Sequence, residues 1–315
     1  MTWLTPGRGV HALRKPTSRR RAGWVICAAV LALALATPAV LIGHTIQGHL
    51  RALHPRRTTV SRAAAADLGE LQDVAFVTSD GLTIRGWVHP SKNHAAVILT
   101  HGGGGTRQQV IPEATMLAHH GYGVLLFDWR AHGESDGDKC TWGSLEQRDL
   151  TAAIDFLANR PDVDPERIGA IGFSFGGGVV VTVAAKDRRL KAVVTEGTTP
   201  TLVERLALDS GRFRALTAPP SIWAVGREID LDSVRPIDHV CAIHPRPVLI
   251  ISGDDQSDQP NALARELFDA ACEPKEYWQV VGAAHGKYGS VAPIELERRL
   301  LQVFDGALLD RHRGG

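Results

Sequence analysis

Gly172-Phe173-Ser174-Phe175-Gly176 constrains the fold of this chain more than any other stretch. It follows the apolar run Ile168-Gly169-Ala170-Ile171 and precedes Gly177-Gly178 and the apolar run Val179 to Ala185. That order predicts a strand, a tight turn with Ser174 at its apex, and a helix. G-x-S-x-G between strand and helix has the spacing of a nucleophile elbow. Gly172 and Gly176 remove the Cβ atoms that would collide where strand and helix pass closest. Ser174 Oγ is then exposed above the sheet edge, with the N-terminus of the new helix pointing at it. The same pentapeptide also suits a tight turn with a capping serine.

The flanking chain alternates strand and helix patterns. Asp73 to His89 reads as two strands joined by a turn at Ser79-Asp80-Gly81. Ala95 to Thr100 is an unbroken apolar run, which suits a central strand buried on both faces. It feeds His101-Gly102-Gly103-Gly104-Gly105, where backbone N–H groups can approach a ligand without side-chain obstruction. A flexible loop fits the same glycines; a phosphate loop fits less well, because no Gly-Lys-Ser/Thr follows. Glu113 to His120 reads as a helix, Gly123 to Asp128 as the next buried strand, and Leu145 to Ala158 as a helix with one apolar face. Lys191 to Glu196, Pro247 to Gly253 and Tyr277 to Val281 supply the later strands. Such alternation predicts an α/β fold with a largely parallel sheet and helices on both faces.

The chain has 315 residues, and its formal net charge of +1 gives no reason to expect a nucleic acid partner. The cysteines are Cys27, Cys140, Cys241 and Cys272, with no C-x-x-C pair to suggest zinc or a thioredoxin-type site. Outside the cytoplasm Cys140–Cys241, Cys140–Cys272 or Cys241–Cys272 could form; three unpaired thiols explain the count equally well. From Ala22 to Leu50 there is no Lys, Arg, Asp or Glu. Residues 22–46 are long enough to cross a hydrocarbon layer of ~30 Å as a helix. Arg14, Lys15, Arg19, Arg20 and Arg21 precede this run, so residues 1–21 are expected to be a cytoplasmic N-terminus and the bulk of the chain extracytoplasmic. The competing reading is a signal peptide cut after Ala34-Leu35-Ala36, giving a secreted protein. Residues 47–72 read as a linker, and 73–315 as the globular domain.

Taken together, these motifs resemble the α/β-hydrolase superfamily, of the serine-esterase and serine-aminopeptidase type. The resemblance rests on Asp80-Gly81-Leu82, His101-Gly102-Gly103, the D-x-R-x-H-G-x-S pattern from Asp128 to Ser135, Gly172 to Gly176, and Gly282-Ala283-Ala284-His285-Gly286. It spans about Asp73 to Ala307. It implies a mostly parallel eight-stranded sheet, a Ser-His-acid triad, and no metal or organic cofactor. It also implies a small helical cap over about 198–240, whose apolar residues would wall a pocket for a small-molecule or acyl-bearing substrate.

Within that pattern Ser174 is the nucleophile and His285 the general base, in the order Ser, acid, His. His101 and His132 read as braces for loops near the site. The amides of Gly103 and Phe175 are the expected oxyanion donors. The acid position departs from the family's G-x-x-D-x-x-V-P: Gln256 stands where the Asp is expected. Asp255 is the first alternative and Asp258 the second, with Asp254 also within reach and Glu196 further removed. The implied activity is hydrolysis of a carboxylic ester or thioester through an acyl-enzyme. A serine peptidase on the same machinery, or a non-catalytic binding protein with a degraded acid position, are the other readings.

Overall fold

Among the described residues, eight strands form one sheet in the order β1-β2-β4-β3-β5-β6-β7-β8. The computed structural model describes residues 18–254 and 261–309. The chain divides into two units, Met1–His44 and Thr45–Gly315. In the first, the described residues are helical and belong to α1 (Ser18–Ala52), which continues into the second unit. Its apolar side chains, Trp24, Ile26, Leu31 and Leu35 among them, are exposed.

In the second unit β1 (Gln72–Val77) and β2 (Thr83–His89) form an antiparallel hairpin, and β2 runs antiparallel to β4 (Gly123–Phe127). The remaining pairings, through β3 (Ala96–Thr100), β5 (Ile168–Phe173), β6 (Leu190–Glu196), β7 (Val248–Gly253) and β8 (Lys275–Val280), are parallel. The helices are α2 (Ile111–His119), α3 (Glu146–Ala158), α4 (Phe175–Ala184), α5 (Leu202–Asp209), α6 (Arg214–Gly226), α7 (Pro236–His239), α8 (Asn261–Ala270), α9 (Tyr288–Val291) and α10 (Pro293–Phe304).

Successive strand residues point to opposite faces, and here both faces are apolar. Val97 and Leu99 of β3 join Leu117 of α2 and Leu300 of α10 in one core. Ala96 and Ile98 join Ile154 of α3, Val180 of α4 and Leu267 of α8 in the other. That is why the central strands read as unbroken apolar runs rather than alternating ones. β4 lies on one side of β3 and β5 on the other, so the strand order reverses there. In open α/β sheets, ligands bind beyond the carboxyl ends of strands at such a reversal. The glycine loop after β3 and Ser174 after β5 both leave the sheet at that point.

The stretch 47–72 differs from the expected linker. α1 continues to Ala52, and Leu53, Ala65, Leu68 and Leu71 are buried. The Arg57 guanidinium donates to the carbonyls of Gly133, Ser135 and Gly137, and the Leu53 carbonyl accepts from Cys140 N–H at 2.7 Å. These anchors are single residues without periodicity, which hides them in the sequence. Cys241 and Cys272 form a disulfide, while Cys140 is buried and free.

Candidate active site

Ser174 has φ +52° and ψ −117°, a region that residues bearing a Cβ rarely enter. Several groups hold it there. Its N–H donates to the Glu196 carbonyl at 2.7 Å, and its carbonyl accepts from Gly177 N–H and from Thr198 Oγ1, each at 3.1 Å. The glycines are sterically required: a Cβ on Gly172 would lie 2.4 Å from Gly177 Cα, and one on Gly176 would lie 2.7 Å from the His101 carbonyl oxygen. α4 begins at Phe175, so the amides of Phe175 and Gly176, which have no partner within the helix, lie at its start beside the serine.

The glycine loop is equally crowded. A Cβ on Gly102 would meet the Phe173 ring at 2.8 Å, and one on Gly103 would meet the Trp142 ring at 2.8 Å. Gly102 N–H donates to Gln109 Oε1 and Gly104 N–H to His132 Nε2. The amide of Gly103 has no partner among the described residues. Trp142 packs edge-on against Phe175, with ring centroids 5.5 Å apart. It therefore touches both residues whose amides are the candidate oxyanion donors. Nothing in the sequence marked Trp142 for this place.

The D-x-R-x-H-G-x-S loop holds this framework from below. The Asp128 carboxylate accepts from Arg107 N–H at 2.8 Å and Glu134 N–H at 3.0 Å. Trp129 donates its ring N–H to the His101 carbonyl and its backbone N–H to His101 Nε2. His101 Nδ1 donates to the Gly102 carbonyl, so both ring nitrogens of a neutral imidazole are used. Burial first, then the neighbouring His132, pushes His101 down to about 3. His132 is arranged alike, between the Arg130 carbonyl and Gly104 N–H, and burial lowers its pKa too. Both are braces rather than bases.

His285 lies beyond β8, its ring packed at 4.7 Å against that of Phe173, the residue before the serine. A Cβ on Gly197 would lie 2.6 Å from His285 Nδ1, and Gly197 directly follows the residue that accepts the Ser174 N–H. Ser174 and His285 are thus gathered around the same two residues, Phe173 and Gly197. Burial, and secondarily the charge of Arg205, pushes His285 down to about 4. His285 Nδ1 is buried with no hydrogen-bond partner among the described residues. Asp255, Gln256 and Asp258 lie outside those residues. Asp254 accepts from Gly282 N–H. Glu196 turns into the interior towards Glu113, where burial and then the Glu113 charge raise its carboxyl well above the usual range.

A narrow pocket of ≈ 20 Å³ opens beside Ser174, walled by Trp142, Phe175, Thr198, Thr201, Leu202, Arg205, Val234 and Pro236. Between β6 and β7 the chain is helical, through α5, α6 and α7, and α5 supplies Leu202 and Arg205 to the pocket wall. Arg205 pairs with Asp209 at 2.8 Å and, like Trp142, carried no signal in the sequence. Among the described residues no cluster of three or more His, Cys, Asp or Glu side chains is arranged to hold a metal ion.

The sheet order, the elbow and the loops around it define an α/β-hydrolase fold, and residues 95–234 match the family model for that fold. The chain belongs to the α/β-hydrolase superfamily. It is 32% identical over 226 residues to an uncharacterised protein of Mycobacterium tuberculosis, covering 71% of this chain and 75% of that one. A polyketide transferase of Stachybotrys chlorohalonatus is 29% identical, covering 65% of this chain and 86% of the relative. A thiohydrolase of Aspergillus aculeatus is 35% identical over a shorter span, 39% of this chain and 40% of the relative. Among solved structures, an esterase of Pyrococcus furiosus superposes with a TM-score of 0.70 at 25% identity, covering 81% of this chain and 98% of the esterase.

Proposed function

We propose that the chain is a serine hydrolase that cleaves a carboxylic ester or thioester through an acyl-enzyme. The observation that carries this reading is the strained backbone of Ser174, held at φ +52° beside the pocket, with the His285 ring packed on the preceding residue, Phe173. Strain of this kind costs about 1–3 kcal/mol and persists where the surroundings enforce it. In the proposed reaction His285 removes the Ser174 proton, and Ser174 Oγ attacks the carbonyl carbon. The amides of Gly103 and Phe175 stabilise the oxyanion. His285 then protonates the departing alcohol or thiol, and water releases the acyl group by the reverse sequence. Asp255, or failing it Asp258, accepts from His285 Nδ1–H. The unpaired Nδ1 supports an acceptor at that position. The esterase and thiohydrolase relatives support the two classes of leaving group. A fluorophosphonate probe on the full chain tests the reading. Labelling at Ser174 that is lost in Ser174→Ala is expected; folded chain that takes up no probe would leave a binding protein. Comparing p-nitrophenyl esters with aminoacyl anilides separates the esterase from a peptidase.

α1 is read as an uncleaved anchor, with the basic N-terminus cytoplasmic and the catalytic unit outside. Arg21–Ala52 has a mean hydropathy of 2.7 over its most apolar window, and that window is not buried. The Cys241–Cys272 disulfide favours an oxidising compartment. Cleavage after Ala36 would instead give a secreted enzyme. Full-length protein that resists alkaline carbonate extraction supports the anchor; its release contradicts it.

A further inference from the structure

The helical segment between β6 and β7 presents an exposed apolar stripe along α6. The helix buries Thr217, Ala218, Ser221 and Val225 and turns Leu216 and Trp223 outward at 43% and 67% exposure, and Phe213, the residue directly before it, is 50% exposed. Positions 213, 216, 220, 223 and 227 are three or four residues apart, so they follow one side of the helix. From Gly211 to Arg227 the chain carries three arginines and no acidic residue. Arg212, Arg214 and Arg227 are all exposed. The Arg212 and Arg227 guanidinium groups lie 5.2 and 5.4 Å from the ring centroids of Phe213 and Trp223. Large apolar side chains bracketed by cations are the signature of a helix lying in a membrane interface.

A second observation bears on the same helix. Leu53, which follows the apolar run of α1, shares a core with Leu206 of α5 and Val225 of α6, and Leu50 packs against that cluster. The inner side of α6 is therefore fastened to the residues where α1 ends. Arg51 and Arg56, both exposed, lie on either side of this contact in the sequence.

We infer that the outer face of α6 seats on the surface of an anionic lipid bilayer, the one that α1 enters; the inference rests on the anchor reading of α1. The alternative occupant, a second copy of this chain, fits poorly. A helix of 13 residues is about 20 Å long and offers a footprint of roughly 200 Å². A stable protein interface needs about 800 Å² from each partner.

The test uses the full chain with Cys27→Ala and Leu216→Cys, leaving buried Cys140 unreactive, and an environment-sensitive fluorophore on residue 216. In vesicles of phosphatidylcholine and phosphatidylglycerol at 7:3, nitroxide-bearing lipid should quench the label at least two-fold. The same label at Val77→Cys, on the exposed edge strand, should be unaffected. Trp223→Asp, or vesicles of phosphatidylcholine alone, should abolish at least half of the quenching. In the unmodified chain, tryptic cleavage after Arg214 should slow several-fold when phosphatidylglycerol is present. A label at 216 that is quenched no more than the one at 77 in chain that resists carbonate extraction would overturn the inference while leaving the anchor standing. Energy transfer between labelled copies in place of lipid quenching would overturn it in favour of a dimer contact.

Discussion

In the proposed reaction His285 is the base, and among the described residues its Nδ1 has no hydrogen-bond partner. Burial, and then the Arg205 charge, lowers its pKa to about 4, which favours the neutral imidazole. A carboxylate at Nδ1 would favour the imidazolium and raise that pKa. If Asp255 is the acid, Asp255→Asn lowers kcat by ~10⁴, as an Asp-to-Asn change does in a serine protease triad. It also moves the acid limb of kcat/KM to lower pH than in the parent. Asp258→Asn then stays within a few-fold of the parent in both respects. The reverse pattern assigns the role to Asp258, and a flat result for both removes the acid from this loop. At the glycine loop, which the proposed reaction uses as an oxyanion donor, Gly103→Ala would drive a methyl group into the Trp142 ring. A displaced amide there is expected to lower kcat by 10²–10³ with less change in KM, read by steady-state kinetics on a p-nitrophenyl ester.

In the loop between β4 and α3, one cation bridges two carboxylates. Arg130 donates to Asp149 through Nε at 2.9 Å and Nη2 at 2.6 Å, and through Nη1 to Asp80 at 2.9 Å. Arg130 and Asp149 are both buried, and the pairing holds the Asp80 carboxyl well below its usual range. Arg130→Met keeps the volume but strands Asp149, so it should cost about 3–5 kcal/mol, measured as a shift in denaturant midpoint. Arg130→Lys should recover only part of this, because an ammonium cannot make the same fork. Elements of this kind separate what the sequence made legible from what it did not. The strands were readable because both faces of β3, β4 and β7 are apolar, and the elbow because Gly172 and Gly176 admit no Cβ. The braces His101 and His132 were readable from their place in motifs. Trp142 and Arg205 were not, because they reach the cavity from loops and helices whose approach is set by tertiary packing. The tie between residues 47–72 and the catalytic unit was hidden for a similar reason: Arg57 acts on carbonyls some 80 residues away in the chain. The disulfide was one of three pairings that the cysteine count allowed.

Across the whole molecule, buried groups of two kinds pull its stability in opposite directions with pH. His101, His132 and His285 have folded pKa values below the unfolded value of about 6.5. Their contribution is complete above that pH and is lost as pH falls towards 4 and then 3, at up to about 1.4 kcal/mol per pH unit for each proton involved. Glu113, pushed up to about 7 by burial, and Glu196, raised well above the usual carboxylate range by burial and then by the Glu113 charge, behave in the opposite way. The folded pair retains protons that the unfolded chain releases above its carboxylate pKa of about 4.3. Their contribution is complete in acid and is lost as pH rises through 7. Between about 4.5 and 6.5 the two trends oppose, so stability should peak on the acid side of neutrality. Glu196→Gln removes the carboxyl that lies deepest in this conflict. It should raise the thermal midpoint at pH 8 by a few degrees and change it little at pH 5, as followed by thermal unfolding at both values. An equal shift at the two pH values would mean that packing rather than ionisation governs the site. The position matters for chemistry because the Glu196 carbonyl accepts the Ser174 N–H. Ionising the carboxyl pair would loosen the backbone that holds the serine in its strained conformation.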